Sequence, residues 1–144
     1  MTECRKVFVD TAPFIYFLDD SPVFADIVNG VFERLLTDDI PMVTSVLTCE
    51  EYLVYPYRKN MWEKIDAFFA FARECGIPFI PVSLDIAKQA ARIRADYPAF
   101  KPMDSLQLAA AVVSGCDLFL TNDNQLRQFS GLRCMTLDDW KREN

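Results

Sequence analysis

Short runs of β-branched and aromatic residues alternate with longer stretches of helical periodicity along the whole chain, and this alternation narrows the fold more than any other feature. The first run, Val7-Phe8-Val9, is too short and too β-rich for a helix and reads as a buried strand. It stops at Asp10. Thr11 and Ala12 then lead to Pro13, and Phe14, Ile15, Tyr16, Phe17 and Leu18 open a second apolar stretch. Proline at a first helical position gives up only a donor that had no partner, so Pro13 marks the start of a helix. Residues 41–44, 79–82, 118–121 and 132–137 read as further strands. Between them, 23–36, 46–55, 61–75, 84–97, 103–114, 124–129 and 138–142 read as helices. Ser45 and Ser83 are their plausible N-caps, Gly76 and Gly115 their stops, and Pro81 suggests that the 79–82 strand lies at an edge. Strand–helix alternation predicts an α/β fold: a three-layer α/β/α sandwich around a mostly parallel sheet, in a single domain over residues 1–144.

Composition removes several classes of chemistry. The chain has no histidine, so it has no imidazole base, no serine–histidine dyad and no histidine-ligated metal. Its five cysteines are odd in number and scattered without a Cys-x-x-Cys pair, which predicts reduced thiols rather than a disulfide framework or a zinc site. No basic-then-apolar leader and no long apolar run is present, which predicts a soluble cytoplasmic protein without a membrane segment. With 15 basic against 21 acidic residues the net charge is −6, so any nucleic acid must be held by a local basic patch or by metal. Dinucleotide binding is excluded for want of a glycine-rich strand–helix turn.

Acids collect where open α/β sheets bind ligands, at the carboxyl edge. Asp10 and Asp123 directly follow strands. Asp104 stands in the first turn of the helix that Pro102 starts, and Glu50 and Glu51 stand on the helix after the second strand. Each has a plain structural reading: a cap, a macrodipole partner or a surface ion pair. Periodicity does not separate Glu50 from Glu51, since each shares a face with apolar neighbours. Together, however, carboxylates crowded on one edge repel and raise one another's pKa unless a cation sits among them. Oxygen ligands without imidazole or thiolate select Mg²⁺, with Mn²⁺ as a substitute.

The chain also resembles a known family. The strand-Asp10-Thr11 opening, the segment Thr44-Ser45-Val46-Leu47-Thr48-Cys49-Glu50-Glu51, the run Pro102-Met103-Asp104-Ser105-Leu106-Gln107-Leu108-Ala109-Ala110-Ala111, and Leu120-Thr121-Asn122-Asp123 are similar to the four acidic motifs of PIN-domain ribonucleases. Length and element order resemble VapC-type toxins of toxin–antitoxin modules. The resemblance implies Asp10, Glu51, Asp104 and Asp123 as the acidic centre, and so chooses Glu51 over Glu50. It implies Asp10 and Asp104 as inner Mg²⁺ ligands, Glu51 and Asp123 acting partly through water, and Thr121 as an orienting hydroxyl. Ser105 stands where alanine commonly follows the aspartate, a departure with no expected consequence. The implied activity is Mg²⁺-dependent RNA hydrolysis, leaving 5′-phosphate and 3′-hydroxyl ends, with Arg58, Lys59, Arg92, Arg94 and Lys101 as candidate RNA contacts. The implied partner is an antitoxin that inserts an arginine among the acids. Phe14, Phe17, Phe24 and the aromatic 62–71 stretch offer more apolar surface than one small core needs, which suggests a homodimer. Two other readings are a receiver-type phosphoacceptor domain and a catalytically idle PIN scaffold. The first lacks the expected aspartate after the third strand, where Ser83 stands, and has only Arg133 near the last strand where a lysine is expected. Retention of all four acids counts against the second.

Overall fold

The computed structural model describes residues 3–144; Met1 and Thr2, which the sequence reading includes in the domain, lie outside the described residues. The strands are β1 (Val7–Val9), β2 (Met42–Ser45), β3 (Phe79–Ile80), β4 (Leu118–Thr121) and β5 (Arg133–Thr136). The helices are α1 (Thr11–Leu18), α2 (Ala25–Thr37), α3 (Val46–Arg58), α4 (Trp62–Glu74), α5 (Leu84–Asp96), α6 (Pro102–Val113) and α7 (Leu137–Glu143), with a 3₁₀ turn over Asn124–Gln128. The strands pair in the order β3-β2-β1-β4-β5, every pair parallel. The chain therefore lays β2 and β3 on one side of β1, then returns to place β4 and β5 on the other. Adjacent strands that lead outward in opposite directions open a crevice at their carboxyl ends, here between β1 and β4.

The sheet is buried on both faces, as parallel sheets are. Val7, Val9, Leu118, Leu120 and Met135 point into a core shared with Phe14, Val31, Phe32, Leu35, Phe68, Leu137 and Trp140. Phe8, Val43 and Phe119 point the other way, into a core shared with Ile86, Ala90, Ile93, Leu108 and Leu126. Helices α5 and α6 thus cover one face, and α1, α2, α3, α4 and α7 the other, giving the three layers expected. Phe8 stacks on Phe119 across paired strands, with ring centroids 5.2 Å apart. Each such fully buried ring contributes about 1.5–3 kcal/mol of burial energy.

Several boundaries differ from the sequence reading. Helix α1 starts at Thr11 rather than Pro13, with Asp10 as its N-cap. All of the first four N–H groups of a helix lack partners, so proline fits the third position as well as the first. Helix α3 runs to Arg58 with Pro56 inside it, where the sequence predicts an end at Tyr55. Pro56 is buried one turn beyond buried Tyr52, and burial on that face offsets one lost backbone bond near the helix end. The 124–129 segment is a 3₁₀ turn, not an α-helix. Strand β3 is an edge strand as expected, but it ends before Pro81. The surplus of aromatics is absorbed largely by the core: Phe14 packs against Phe32, Phe68 and Phe71, and Phe17 stacks on Phe71. Trp62 stays 59% exposed, with Tyr55 at 57% and Tyr57 at 51%. No helix among the described residues is long and apolar enough to cross a membrane.

Candidate active site

The crevice between β1 and β4 is lined first by Asp10. Its backbone N–H donates to Leu120 C=O at 2.9 Å, which pins the end of β1 to β4. Its Oδ1 accepts from Thr11 N–H at 2.8 Å, and its Oδ2 from the Thr121 hydroxyl at 2.8 Å. Thr121 is buried at the end of β4, and its Oγ1 also accepts from Asp123 N–H at 3.2 Å. One hydroxyl thus joins the Asp10 carboxylate to the backbone of the Asp123 turn. Burial pushes the Asp10 carboxyl up to about 6, with the charges of Glu51 and Asp104 adding to it and the two accepted hydrogen bonds opposing it.

Geometry separates the two glutamates. Both are exposed, but Glu51 Oε1 accepts from the Thr11 hydroxyl at 2.8 Å, one residue from Asp10. Asp104 is half-buried in the first turn of α6 and accepts from Lys101 N–H at 3.3 Å. Burial raises its pKa and the charge of Asp123 adds to this, against the Lys101 backbone bond and ammonium. Asp123 is exposed and caps the 3₁₀ turn, accepting from Gln125 N–H at 3.0 Å. Asp10, Asp104 and Asp123 therefore do carry the capping duties their positions suggest, and in addition the four acids act on one another across the crevice.

Among the described residues, none of the four makes an ion pair with a lysine or arginine. Nor are three or more acidic, thiol or imidazole side chains gathered there into a ready-made metal cage. Of the basic residues singled out in the sequence, all five are exposed, and Lys101 is the one whose charge reaches Asp104. Beside Glu51 a cavity of about 210 Å³ is lined by Ile15, Asp19, Tyr52, Tyr55, Pro56 and Lys64. A larger hollow of about 420 Å³, involving Arg34 and Trp140, is lined by none of the four acids.

The sequence reading missed the buried polar residues behind the acids. Thr44, Thr48, Ser45 and Gln107 are each at most 2% exposed and hydrogen-bond to one another. The available signal was Gln107 itself, a lone amide inside the otherwise apolar run Leu106–Val113. Asn122, which donates to the Tyr16 hydroxyl at 2.9 Å beside Asp123, was likewise missed.

A parallel α/β sheet with carboxylates converging on the crevice beside its first strand defines a class of acidic-centre domains. The chain belongs to the PIN-domain family, whose model matches residues 7–132. That membership displaces the receiver-type alternative, in keeping with Ser83, which caps α5 through Ile86 N–H where a phosphoacceptor aspartate is required. A comparison with curated proteins finds no match. Among solved structures the chain is similar to VapBC2 from Rickettsia felis bound to a promoter DNA fragment, at 13% identity and a TM-score of 0.75, covering 91% of this chain and 98% of that one. It is similar to DNA-bound VapBC from Salmonella typhimurium at 20% identity and a TM-score of 0.69, covering 92% and 98%. It also resembles VapBC-5 from Mycobacterium tuberculosis, of the VapBC family of toxin–antitoxin systems, at 20% identity and a TM-score of 0.61, covering 92% and 97%. At these identities the likeness is one of fold.

Proposed function

We infer that the chain, acting as one domain over residues 1–144, is a Mg²⁺-dependent endoribonuclease and the toxin half of a cytoplasmic toxin–antitoxin pair. The observation that carries this reading is the sparsely compensated crevice: Asp10, with its carboxyl pushed up to about 6, feels Glu51 and Asp104. Among the described residues no lysine or arginine forms an ion pair with any of the four acids, Lys101 only acting on Asp104 without pairing. PIN-family membership and the fold shared with VapBC toxin–antitoxin proteins support it. The donor set fits a hard cation, being all carboxylate in a chain without histidine.

Asp10 and Asp104 would hold the ion directly, with Glu51 and Asp123 reaching it through water. Mn²⁺ would serve in the same place. When bound, the ion supplies charge neutralisation at the phosphate and lowers the pKa of water. The chain's own residues set the geometry: Thr121 fixes Asp10 Oδ2 and Thr11 fixes Glu51 Oε1, leaving each carboxylate oxygen acceptor capacity to spare. In the reaction a water oxygen bonds to phosphorus, the bond from phosphorus to the 3′ oxygen breaks, and that oxygen takes a proton. A 5′-phosphate and a 3′-hydroxyl result. Lys101, whose charge acts on Asp104, would receive a flanking phosphate.

Restraint of such an enzyme would fall to an antitoxin segment that places an arginine among the acids, where a permanently charged, forked guanidinium pairs with carboxylates. The exposed Tyr55, Tyr57 and Trp62 give such a segment, or a second copy of the chain, apolar surface to cover. Purified protein is expected to cleave RNA with Mg²⁺ or Mn²⁺ and to stop in excess EDTA. Asp10→Asn and Asp104→Asn are expected to be inactive while folding normally. Undiminished cleavage in EDTA overturns the reading.

A further inference from the structure

We propose that Gln107 is a positioning residue that sets the spacing of Asp10, Glu51 and Asp104, through a one-way chain of buried hydrogen bonds. The proposal rests on the metal-centre reading above.

Proton counting gives the chain its direction. The Thr44 hydroxyl lies 2.7 Å from Val9 C=O, and a carbonyl only accepts, so the single Thr44 proton is committed there. Thr48, 2.8 Å from Thr44 Oγ1, must then be the donor of that pair. With its proton spent, Thr48 is an acceptor towards Gln107, whose Nε2 lies 3.0 Å away. The Gln107 oxygen is thereby turned to Ser45, whose hydroxyl donates to it while accepting from Leu47 N–H at 3.1 Å. A flipped amide would face Thr48, which has no proton left, and would strand the Ser45 hydroxyl. Every buried side-chain oxygen and nitrogen among the described residues is satisfied in the arrangement present.

Each end of this chain abuts an acid. Val9, which takes the last proton, immediately precedes Asp10. Gln107 lies one turn beyond Asp104 on α6, so the two share a helix face. Thr48 lies one turn before Glu51 on α3; its hydroxyl and that of Thr11 stand 3.3 Å apart with both protons already committed, to Thr44 and to Glu51, so the link to Glu51 runs along α3 rather than through Thr11. The Gln107 amide thus clamps the first turn of α3 to the first turns of α6 and, through Thr44, to the end of β1. Four neutral groups hold three carboxylates that would otherwise spread apart by repulsion. Groups bonded directly to metal ligands typically change metal affinity by about 10–100-fold when lost; Gln107 touches Thr48 and Ser45 rather than an acid, so the lower end of that range is expected.

The test is Mn²⁺ binding by the full chain, measured calorimetrically without substrate. Gln107→Met keeps the length of the side chain and removes both polar atoms. It is expected to bind Mn²⁺ about tenfold more weakly than wild type. Val28→Ala, a cavity in the α2 core, is the control for general destabilisation and is expected to bind as wild type does. Should Gln107→Met not fold, Thr48 decides: Thr48→Val is expected to lose affinity and Thr48→Ser, which restores the hydroxyl, to keep it. Wild-type affinity in Gln107→Met, an equal loss in Val28→Ala, or equal affinities in the two Thr48 variants would each overturn the proposal. If wild-type protein itself binds no Mn²⁺, the metal reading fails in that arm and the proposal falls with it.

Discussion

Asp10 is held at a cost that mutation should expose. Its carboxyl is pushed from 3.8 to about 6, so the folded state binds this proton more tightly than the unfolded chain does. At about 1.36 kcal/mol per tenfold in proton affinity, the ionised group opposes folding by about 3 kcal/mol once both states are deprotonated, less whatever solvent reaching the half-buried carboxylate screens. The sign follows from linkage: stability from this group is greatest below the unfolded value of 3.8 and falls as pH rises towards about 6. Asp10→Asn is neutral throughout and escapes the effect. The amide replaces one acceptor with a donor opposite Thr121, a change worth about 1 kcal/mol that does not depend on pH. Net stabilisation in EDTA at about pH 8 is therefore about 2 kcal/mol, or several °C in melting temperature for a chain of this size. Roughly half of the ionisation penalty already acts at about pH 5, so the advantage of the variant should grow by about 1.4 kcal/mol between about pH 5 and about pH 8. Urea unfolding in EDTA at those two values measures it. An advantage that does not grow with pH, or a variant less stable by the same amount at both, would refute an uncompensated Asp10.

Three further outcomes are expected. Glu51→Gln should lose most RNA cleavage while Glu50→Gln keeps it, in single-turnover assays on variants whose circular dichroism matches wild type, because Glu51 alone of the two accepts from Thr11. Thr121→Val should raise the Asp10 pKa further and cost about 1–3 kcal/mol by leaving a buried carboxylate oxygen short of a donor; Thr121→Ser should restore both, as read by urea unfolding across pH. Co-expression with the adjacent reading frame should yield a complex whose inhibition is lost on arginine-to-alanine changes in the partner's tail; failure of any neighbouring product to bind would remove the toxin assignment while leaving the nuclease.

Local signals carried the sequence reading where one segment decides its own structure. The β4 limits, the serine caps of α3 and α5 and the turn at Gly76, whose φ of 65° suits a residue without Cβ, all match. Where tertiary packing competes with local preference the reading slipped. Pro56 argues for a helix end, yet its ring is buried with Tyr52 and the helix continues. Phe14 and Phe17 read as spare surface, yet they meet Phe32 and Phe71 from helices distant in sequence.

The same division runs through the site. A parallel sheet sends every strand-to-helix turn to one edge, so an acid placed just after a strand or early in a helix announces itself by position alone. Asp10, Asp104 and Asp123 stand out for that reason, whereas Glu51 is told from Glu50 in the sequence only by the resemblance to PIN-domain ribonucleases. What fixes the separation of the acids is not legible. Thr121 reaches Asp10 across 111 residues and Gln107 reaches Thr48 across 59, and neither contact leaves a periodic trace. Charged groups at an edge tolerate water and so can sit on any sufficiently exposed turn, whereas a buried hydroxyl or amide is tolerated only where its partners already stand. Gln107 inside an apolar helix is therefore the stronger constraint on the three-dimensional arrangement. It fixes which turn of α3 meets which turn of α6, and with that how far apart two of the acids come to rest.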